Sequence, residues 1–162
     1  RPEEYRVVDM EALVKDVIKT YEPDAAARGI YLGFQPDRDN RLYTHPDLMR
    51  ELISNLVDNA IVYNVEGGNV RIVLDGKADD KFIVTIQDTG IGISYDDQRR
   101  IFERFYMVDK SRSYNEKSTG LGLAIVKHNV DSLKGTLDVK SQLHHGSTFR
   151  LVFPKKGIYV AK

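Results

Sequence analysis

The sequence contains no cysteine and no tryptophan, and its charges cancel, with 24 lysine and arginine residues against 24 aspartate and glutamate residues. The absence of cysteine excludes disulfide bonds and thiolate metal ligands, and it fits a reducing compartment. Because the net charge is zero, no overall field favours nucleic acid or an anionic membrane, and we expect neither as a partner. No apolar run is long enough to span a bilayer, and the polar start of the chain is unlike a secretion signal. We therefore expect a soluble, cytoplasmic domain, whole or excised from a longer protein.

Apolar residues make up 41% of the 162 positions, which is enough for one globular domain with a core. Hydrophobic periodicity, caps and turn residues predict both helices and strands. The predicted helices cover residues 10–27, 46–63, 95–102 and 121–134, and the predicted strands cover 7–9, 30–34, 41–44, 70–74, 82–88, 136–140 and 147–153. Strands outnumber helices, so we predict an α+β fold with a mixed, mostly antiparallel sheet and helices on one face.

Two glycine patterns indicate where a ligand binds. Residues 88–93 read Asp-Thr-Gly-Ile-Gly-Ile after a predicted strand, and residues 119–124 read Thr-Gly-Leu-Gly-Leu-Ala at the start of a predicted helix. Glycine lets the backbone approach a ligand closely, so a nucleotide site is the leading interpretation. Between them, residues 105–118 are polar and have no clear period, which is typical of a functional or mobile loop.

The helix predicted at 46–63 carries two amides on its apolar stripe. Asn55 and Asn59 fall among Leu52, Leu56 and Ala60 when residues are spaced at 100°. A buried amide without a partner costs about 1–3 kcal/mol, so both amides need partners. They either bond to neighbouring backbone, or their oxygens face a polar ligand or a hard cation such as Mg²⁺.

Asp88 ends a strand whose inward row is apolar. Phe82, Val84 and Ile86 alternate on one face, and Asp88 continues that face. A carboxylate in such a place needs good hydrogen bonds. It either forms an Asx turn or helix cap, or it accepts a hydrogen bond from a ligand, for which the exocyclic amine of adenine beside Ile93 is suitable.

Two further features complete the pattern. The helix that follows Gly120 begins with unpaired N–H groups and a partial positive charge, which attract phosphate, although the motif is neither a Walker A loop nor a dinucleotide fingerprint. Close packing without a ligand is the alternative there. Ser147 begins the inward face of the last strand, so its hydroxyl needs a partner, and it could meet Asp88 over one ligand.

Taken in this order, the motifs resemble those of the ATP-binding catalytic domain of sensor histidine kinases, within the superfamily that includes gyrase, Hsp90 and MutL. Residues 51–60 look like the N box, 88–93 like the first glycine box, 101–106 like the F box, 119–124 like the second glycine box and 146–149 like the third. The resemblance covers nearly the whole chain. It implies a two-layer α/β sandwich, the Bergerat ATP-binding fold, in a single domain over 1–156 with a lid over about 94–118 and a peripheral tail at 157–162.

The resemblance also implies ATP and Mg²⁺ as ligands and gives roles to individual residues. Asn59 would hold Mg²⁺, Asn55 would support the phosphates, and Asp88 would accept from the adenine amine. The other expected contacts are Tyr63 beside the nucleotide, Gly90, Gly92 and Ile93 around adenine, Ser147 to adenine through a water, Gly120, Leu121, Gly122 and Leu123 to the phosphates, and the lid cations Lys110 and Arg112.

Two departures from the family pattern affect the phosphate end. Val62 and Met107 stand where family members often carry a lysine and an arginine. The phosphate charge would then depend on Mg²⁺, the helix N-terminus and lid cations such as Lys110 and Arg112. We therefore predict weaker ATP affinity, or different use of the lid, than in a relative with the full motif.

The chain lacks the family's phosphoacceptor motif, and we interpret its four histidines as solvated or satisfied side chains. The predicted function is transfer of the ATP γ-phosphoryl group to a histidine on a separate dimerisation domain, in two-component signalling with a response regulator downstream. Asn55 stands where ATPase relatives carry a glutamate base, which favours transfer over hydrolysis. The alternative is a nucleotide-binding module with weak or no kinase activity, and a serine kinase ranks lower because Phe102 and Phe105 fit the F box. We expect a monomeric fragment of a homodimeric parent anchored in the bacterial inner membrane.

Overall fold

The computed structural model of the protein describes residues 2–106 and 122–155. After a short 3₁₀ helix at Pro2–Glu4, the strands and helices follow the predicted order closely. Their bounds are β1 Arg6–Asp9, α1 Met10–Ala27, β2 Tyr31–Gln35, β3 Arg41–Thr44, α2 Pro46–Val62, β4 Asn69–Asp75, β5 Lys81–Asp88, α3 Tyr95–Gln98, α4 Gly122–Ser132, β6 Thr136–Ser141 and β7 Ser147–Pro154. In these two described stretches, no helix has both the length and the apolar character that a membrane crossing requires.

The strands form one large sheet and one small one. The large sheet has five strands in the order β2-β4-β5-β7-β6, with β2 parallel to β4 and every other pair antiparallel. β1 and β3 pair separately as an antiparallel ribbon. The prediction of a mixed, mostly antiparallel sheet is confirmed.

The long helices cover one face of the large sheet. Along β5 the side chains of Phe82, Val84 and Ile86 are fully buried, whereas the residues between them are half-buried or exposed. α2 lies at the centre of the helical layer, packed against α1, α4 and β5. Its residues Leu52 and Leu56 are almost completely buried, so removal of their apolar surface from water contributes strongly to stability. The structure is therefore a two-layer α/β sandwich, as predicted.

One predicted element is much shorter in the structure. The helix predicted over 95–102 is a single turn, α3, which begins after the N-cap Ser94. Beyond it the chain continues in i→i+3 turns, with Arg100 N–H bonded to the Asp97 carbonyl at 2.8 Å and Glu103 N–H to the Arg100 carbonyl at 2.9 Å. Phe105 then takes a left-handed φ of 68°, which an α-helix cannot accommodate.

Candidate nucleotide-binding site

Helix α2 is fixed at both ends. The His45 side chain caps its first turn, accepting a backbone N–H at 3.2 Å. At the other end the Arg28 guanidinium donates to three carbonyl oxygens, those of Ile61, Val62 and Asn64. The first two are among the carbonyl groups that a helix C-terminus leaves without intrahelical partners, and the third lies just beyond the helix. The polar residues of α2 are therefore held on a rigid element.

Asn55 faces the start of α4. Its amide nitrogen donates to the Glu51 carbonyl at 2.9 Å, one turn earlier on α2. A β-carbon placed on Gly122 would lie only 3.2 Å from Asn55 Oδ1, so the two helices meet closely at this point. The Asn55 amide nitrogen is thus bonded to neighbouring backbone, which was one of the two interpretations drawn from the sequence. The amide oxygen is directed towards α4.

Asn59 lies one turn further along α2. Its side chain is half-buried and has no hydrogen-bond partner among residues 2–106 and 122–155. The sequence placed both asparagines within the apolar stripe, but the structure places them at its half-buried margin, beside the fully buried Leu52 and Leu56. This margin leaves the amide oxygens accessible to a ligand.

Asp88 ends β5 in a half-buried position. Its Oδ1 accepts the Gly90 N–H at 2.8 Å, which is the Asx turn that the sequence allowed. Burial raises the pKa of the Asp88 carboxyl to about 6, although hydrogen bonds from the backbone N–H groups of Gly90 and Ser147 act in the opposite direction. The Asx turn uses one carboxylate oxygen and does not exclude a second role for the other.

The turn after Asp88 is pressed against the end of α2. Ile91 N–H bonds to the Tyr63 carbonyl at 3.0 Å, and a β-carbon on Gly90 would lie 2.4 Å from the same oxygen. Only glycine permits this approach. Tyr63, the C-cap residue of α2, therefore joins the asparagine-bearing helix to the first glycine segment.

A buried amide fixes the same turn from the other side. Asn64, with only 1% of its surface exposed, accepts the hydroxyl of Thr89 at 2.9 Å and the Val65 N–H at 2.8 Å. Its amide nitrogen donates to the Asn69 carbonyl at 3.0 Å. Nothing local in the sequence predicts this role of Asn64, because residue 89 comes beside it only in the folded chain.

Gly92 is required by a neighbouring loop. It has a φ of +73°, and a β-carbon there would lie 2.0 Å from the Gln142 carbonyl oxygen in the β6–β7 loop. His144 N–H of that loop bonds to the Ile91 carbonyl at 2.7 Å. The second glycine of the first pattern thus lets the loop pack against this segment, which explains it without a ligand.

Ser147 and Asp88 are directly opposite each other in the β5–β7 register, so the predicted meeting of the two residues is found. Ser147 is 6% exposed, and its hydroxyl lies 2.7 Å from that of Ser141. Ser141 was not among the residues predicted for the site. The sequence does contain a pattern that indicates Ser141, because alternation from Leu137 and Val139 places it on the inner face of β6.

The structure thus gathers two groups along α2. Asp88, Gly90, Ile93 and Ser147 lie near its C-terminal end, whereas Asn55 faces α4 and Asn59 lies between the two groups, one turn further along α2. Of the remaining predicted site residues, Gly122 and Leu123 begin α4 and are half-buried, whereas Lys110, Arg112, Gly120 and Leu121 lie outside the described residues, as does Met107. In the part of the chain that is described, there is no cluster of three or more His, Asp or Glu residues able to hold a metal ion.

Comparison with known proteins gives sensor histidine kinases among the similar relatives. Sensor-like histidine kinase SenX3 of Mycolicibacterium smegmatis is 38% identical over 148 residues, covering 91% of this chain and 38% of the relative. Sensor histidine kinase RppB of Synechocystis is 38% identical over 153 residues, covering 94% of this chain and 34% of the relative. The chain therefore spans little more than a third of these relatives.

Solved structures of histidine kinases have the same fold. Full-length ShkA, solved with AMPPNP, matches 94% of this chain with a TM-score of 0.81 and 25% identity, over 32% of its own length. The catalytic domain of ThkA matches 94% of this chain and 96% of its own, with a TM-score of 0.81 and 23% identity. At 23% identity, the match to ThkA shows only that the fold is shared.

The family model described as "Histidine kinase-, DNA gyrase B-, and HSP90-like ATPase" matches residues 44–157, well over half of the sequence. This range includes α2, both ends of the candidate site and the strands that carry Asp88 and Ser147. The resemblance drawn from the motifs is confirmed, and the chain belongs to the histidine kinase-, DNA gyrase B- and HSP90-like family of ATPases, whose ligand is ATP.

Proposed function

We propose that this chain is the ATP-binding catalytic domain of a sensor histidine kinase. It would transfer the γ-phosphoryl group of ATP to a histidine on a separate dimerisation and phosphoacceptor domain of the parent protein. The observation that carries the proposal is that the half-buried carboxylate of Asp88, held beside the C-terminal end of α2, shares that helix with two half-buried asparagines, of which Asn55 faces α4. The names of the relatives, all sensor proteins or histidine kinases, support it.

The adenine end would be formed around Asp88. With a pKa of about 6, its carboxyl is ionised at neutral pH, and its second oxygen would accept a hydrogen bond from the adenine amine. Gly90, Gly92 and Ile93 would shape the pocket, and Tyr63 would flank the nucleotide. Ser147 would contribute through a water.

The phosphate end fits a magnesium ion. The Asn59 amide is half-buried without a partner among the described residues, and Asn55 directs an oxygen towards α4. Amide oxygens are hard ligands of the kind that Mg²⁺ accepts while keeping several waters. Bound there, Mg²⁺ would neutralise charge on the phosphates. Asn59 would hold the ion, and Asn55 would support the phosphates beside it.

Backbone groups and lid cations would complete the phosphate contacts. The N-terminus of α4 directs free N–H groups and a partial positive charge at its ligand, and we assign Gly120, Leu121, Gly122 and Leu123 to this role. Lys110 and Arg112 of the lid, proposed over about 94–118, would add charge. Because the Asn55 amide cannot take a proton from water, the chemistry would rest on positioning and electrostatics, which favours transfer over hydrolysis.

The partners follow from this role. The ThkA structure solved with the response regulator TrrA supports a response regulator as the downstream partner here. We place the domain, over residues 1–156 with a tail at 157–162, on the cytoplasmic side of a homodimeric parent anchored in the inner membrane. Nucleic acid is not expected as a partner.

A second candidate retains ATP binding with weak or no transfer. It is favoured by Val62, a half-buried apolar residue at the position where the family resemblance leads us to expect a lysine. Such a module would act through contacts with partner proteins.

One experiment separates these candidates. The full-length parent is incubated with γ-labelled MgATP, and phosphohistidine is measured as acid-labile, base-stable label. A kinase gives label that Asn59→Asp abolishes, because a carboxylate adds negative charge beside the phosphates. Retained calorimetric binding of MgATP with no phosphohistidine selects the second candidate, and the absence of binding rejects both.

A further inference from the structure

The Ser141 hydroxyl connects three segments at the adenine end of the site. Its Oγ accepts the Ile93 N–H at 2.8 Å, donates to the Gly146 carbonyl at 2.9 Å and lies 2.7 Å from Ser147 Oγ. Ile93 belongs to the first glycine segment, whereas Gly146 ends the β6–β7 loop and Ser147 begins β7. A single hydroxyl at the end of β6 therefore links two segments that we assign to the base.

The direction of these hydrogen bonds is fixed by the backbone. The Ile93 N–H can only donate and the Gly146 carbonyl can only accept, so all three contacts of Ser141 are hydrogen bonds only when the one hydrogen of its hydroxyl is directed to Gly146. The Ser147 hydroxyl must then donate its own hydrogen to Ser141. Only the lone pairs of Ser147 remain for a ligand, so this side chain acts there as an acceptor.

An acceptor at Ser147 discriminates between purines. A water that donates one hydrogen to Ser147 has the other to give to an acceptor, and N1 of adenine is an acceptor whereas N1–H of guanine is a donor. Asp88, directly opposite on β5, is likewise an acceptor when ionised, which suits the 6-amino group of adenine and opposes the 6-oxo group of guanine. Both groups therefore select for the same base.

We propose that Ser141 is a positioning residue that determines base specificity, because it orients the hydroxyl of Ser147 as an acceptor. This inference rests on the proposed function, in which Asp88 and Ser147 contact adenine. Without the Ser141 hydroxyl, Ser147 rotates freely and donates as readily as it accepts. The site then loses part of its preference for adenine.

The structure supplies a matched control in Gln98 of α3. Its amide nitrogen donates to the Ile93 carbonyl at 2.8 Å and to the Ser141 carbonyl at 3.1 Å. Gln98 thus links Ile93 to Ser141, as the Ser141 hydroxyl also does. It takes no part in the hydrogen bond between the hydroxyl groups of Ser141 and Ser147. Gln98→Ala should loosen the segment without changing the direction of the Ser147 hydroxyl.

The test measures dissociation constants for MgATP and MgGTP by calorimetry on the whole chain. Ser141→Ala should lower the preference, Kd for GTP divided by Kd for ATP, about fivefold, as expected for loss of one oriented hydrogen bond. Ser141→Thr keeps the hydroxyl and should keep the ratio within about twofold of that of the unmodified chain. Gln98→Ala should leave the ratio unchanged.

A double variant distinguishes specificity from simple destabilisation. Ser147→Ala should lower the ratio by itself, and adding Ser141→Ala to it should lower the ratio no further, because Ser141 acts through Ser147. Should Ser141→Ala fail to fold, an unchanged ratio in Ser147→Ala overturns the inference. Equal weakening of ATP and GTP in Ser141→Ala also overturns it and leaves the proposed function intact. Failure of the unmodified chain to bind ATP overturns both.

Discussion

Replacing Asp88 by asparagine should stabilise the protein while removing its preference for ATP. The carboxyl is half-buried, and burial raises its pKa from 3.8 to about 6. The folded state therefore retains a proton through a range of pH in which the unfolded chain has released it. Above pH 6 the folded state must hold a charge that its surroundings disfavour. Asparagine keeps the oxygen that accepts the Gly90 N–H and removes the charge.

The magnitude follows from the shift in pKa. A rise of about two units corresponds to about 3 kcal/mol of lost stability at pH 8, at 1.36 kcal/mol per unit. The sign is that of a group with a raised folded pKa, so the loss is small near pH 4, grows as the pH rises to 6 and is constant above that. Integration gives about half of the full value at pH 5 and less than about 1 kcal/mol at pH 4.

The assay is urea unfolding of the unmodified chain and of the Asp88→Asn variant at pH 8, 5 and 4. The variant should be more stable by about 1–3 kcal/mol at pH 8, with an advantage that shrinks as the pH falls. Asp138→Asn, at an exposed position in β6, should change stability by less than about 0.5 kcal/mol. An advantage that is absent at pH 8, or equal at all three pH values, would refute the reasoning from burial.

Three further predictions concern the same site, and Gly67→Ala, outside it, is the control for the second. The affinity for ATP should fall below pH 6, by up to about tenfold per pH unit in calorimetric titrations, because protonated Asp88 no longer offers an ionised acceptor to the adenine amine. Gly92→Ala should lower the free energy of unfolding by more than about 2 kcal/mol, because its β-carbon would meet the Gln142 carbonyl at 2.0 Å. Gly67→Ala has a similar φ of +78° but open space around it, so it should cost only about 1 kcal/mol of backbone strain in the same denaturation assay. Asn64→Ala leaves buried backbone groups unpaired and should cost about 1–3 kcal/mol by chemical denaturation, with equal loss of ATP and GTP binding.

Much of the fold could be predicted from local patterns. Strict alternation identifies β5 and β7, and the N-cap residue Asp9 and the first-turn proline Pro46 mark the starts of α1 and α2. Such signals lie within a few residues of the element that they define, so a sequence displays them directly. The extent of α3 could not be predicted in this way, because its polar residues have no buried stripe to indicate how far the helix continues.

The candidate site was predicted less completely than the fold. Motifs identified the residues that we propose as ligand contacts, such as Asp88 and Asn59. They did not identify residues that act through another side chain. Ser141 gains its role from the β6–β7 register, and Asn64 from its contact with Thr89, which lies 25 positions away in the chain. Spacing in one sequence does not specify which distant groups will meet, so these hydrogen bonds became visible only in three dimensions.

Helix α2, held by His45 at one end and Arg28 at the other, fixes the distance between the two ends of the proposed site. Asn55 and Tyr63 are eight positions apart on it, which corresponds to about 12 Å at 1.5 Å per residue. A single inserted residue between them would lengthen this distance by only about 1.5 Å but would rotate one end by about 100° relative to the other. Loops around the site can change length without this penalty. The spacing within α2 would therefore restrict the length of ligand that fits the proposed site, even where the surrounding loops differ in length.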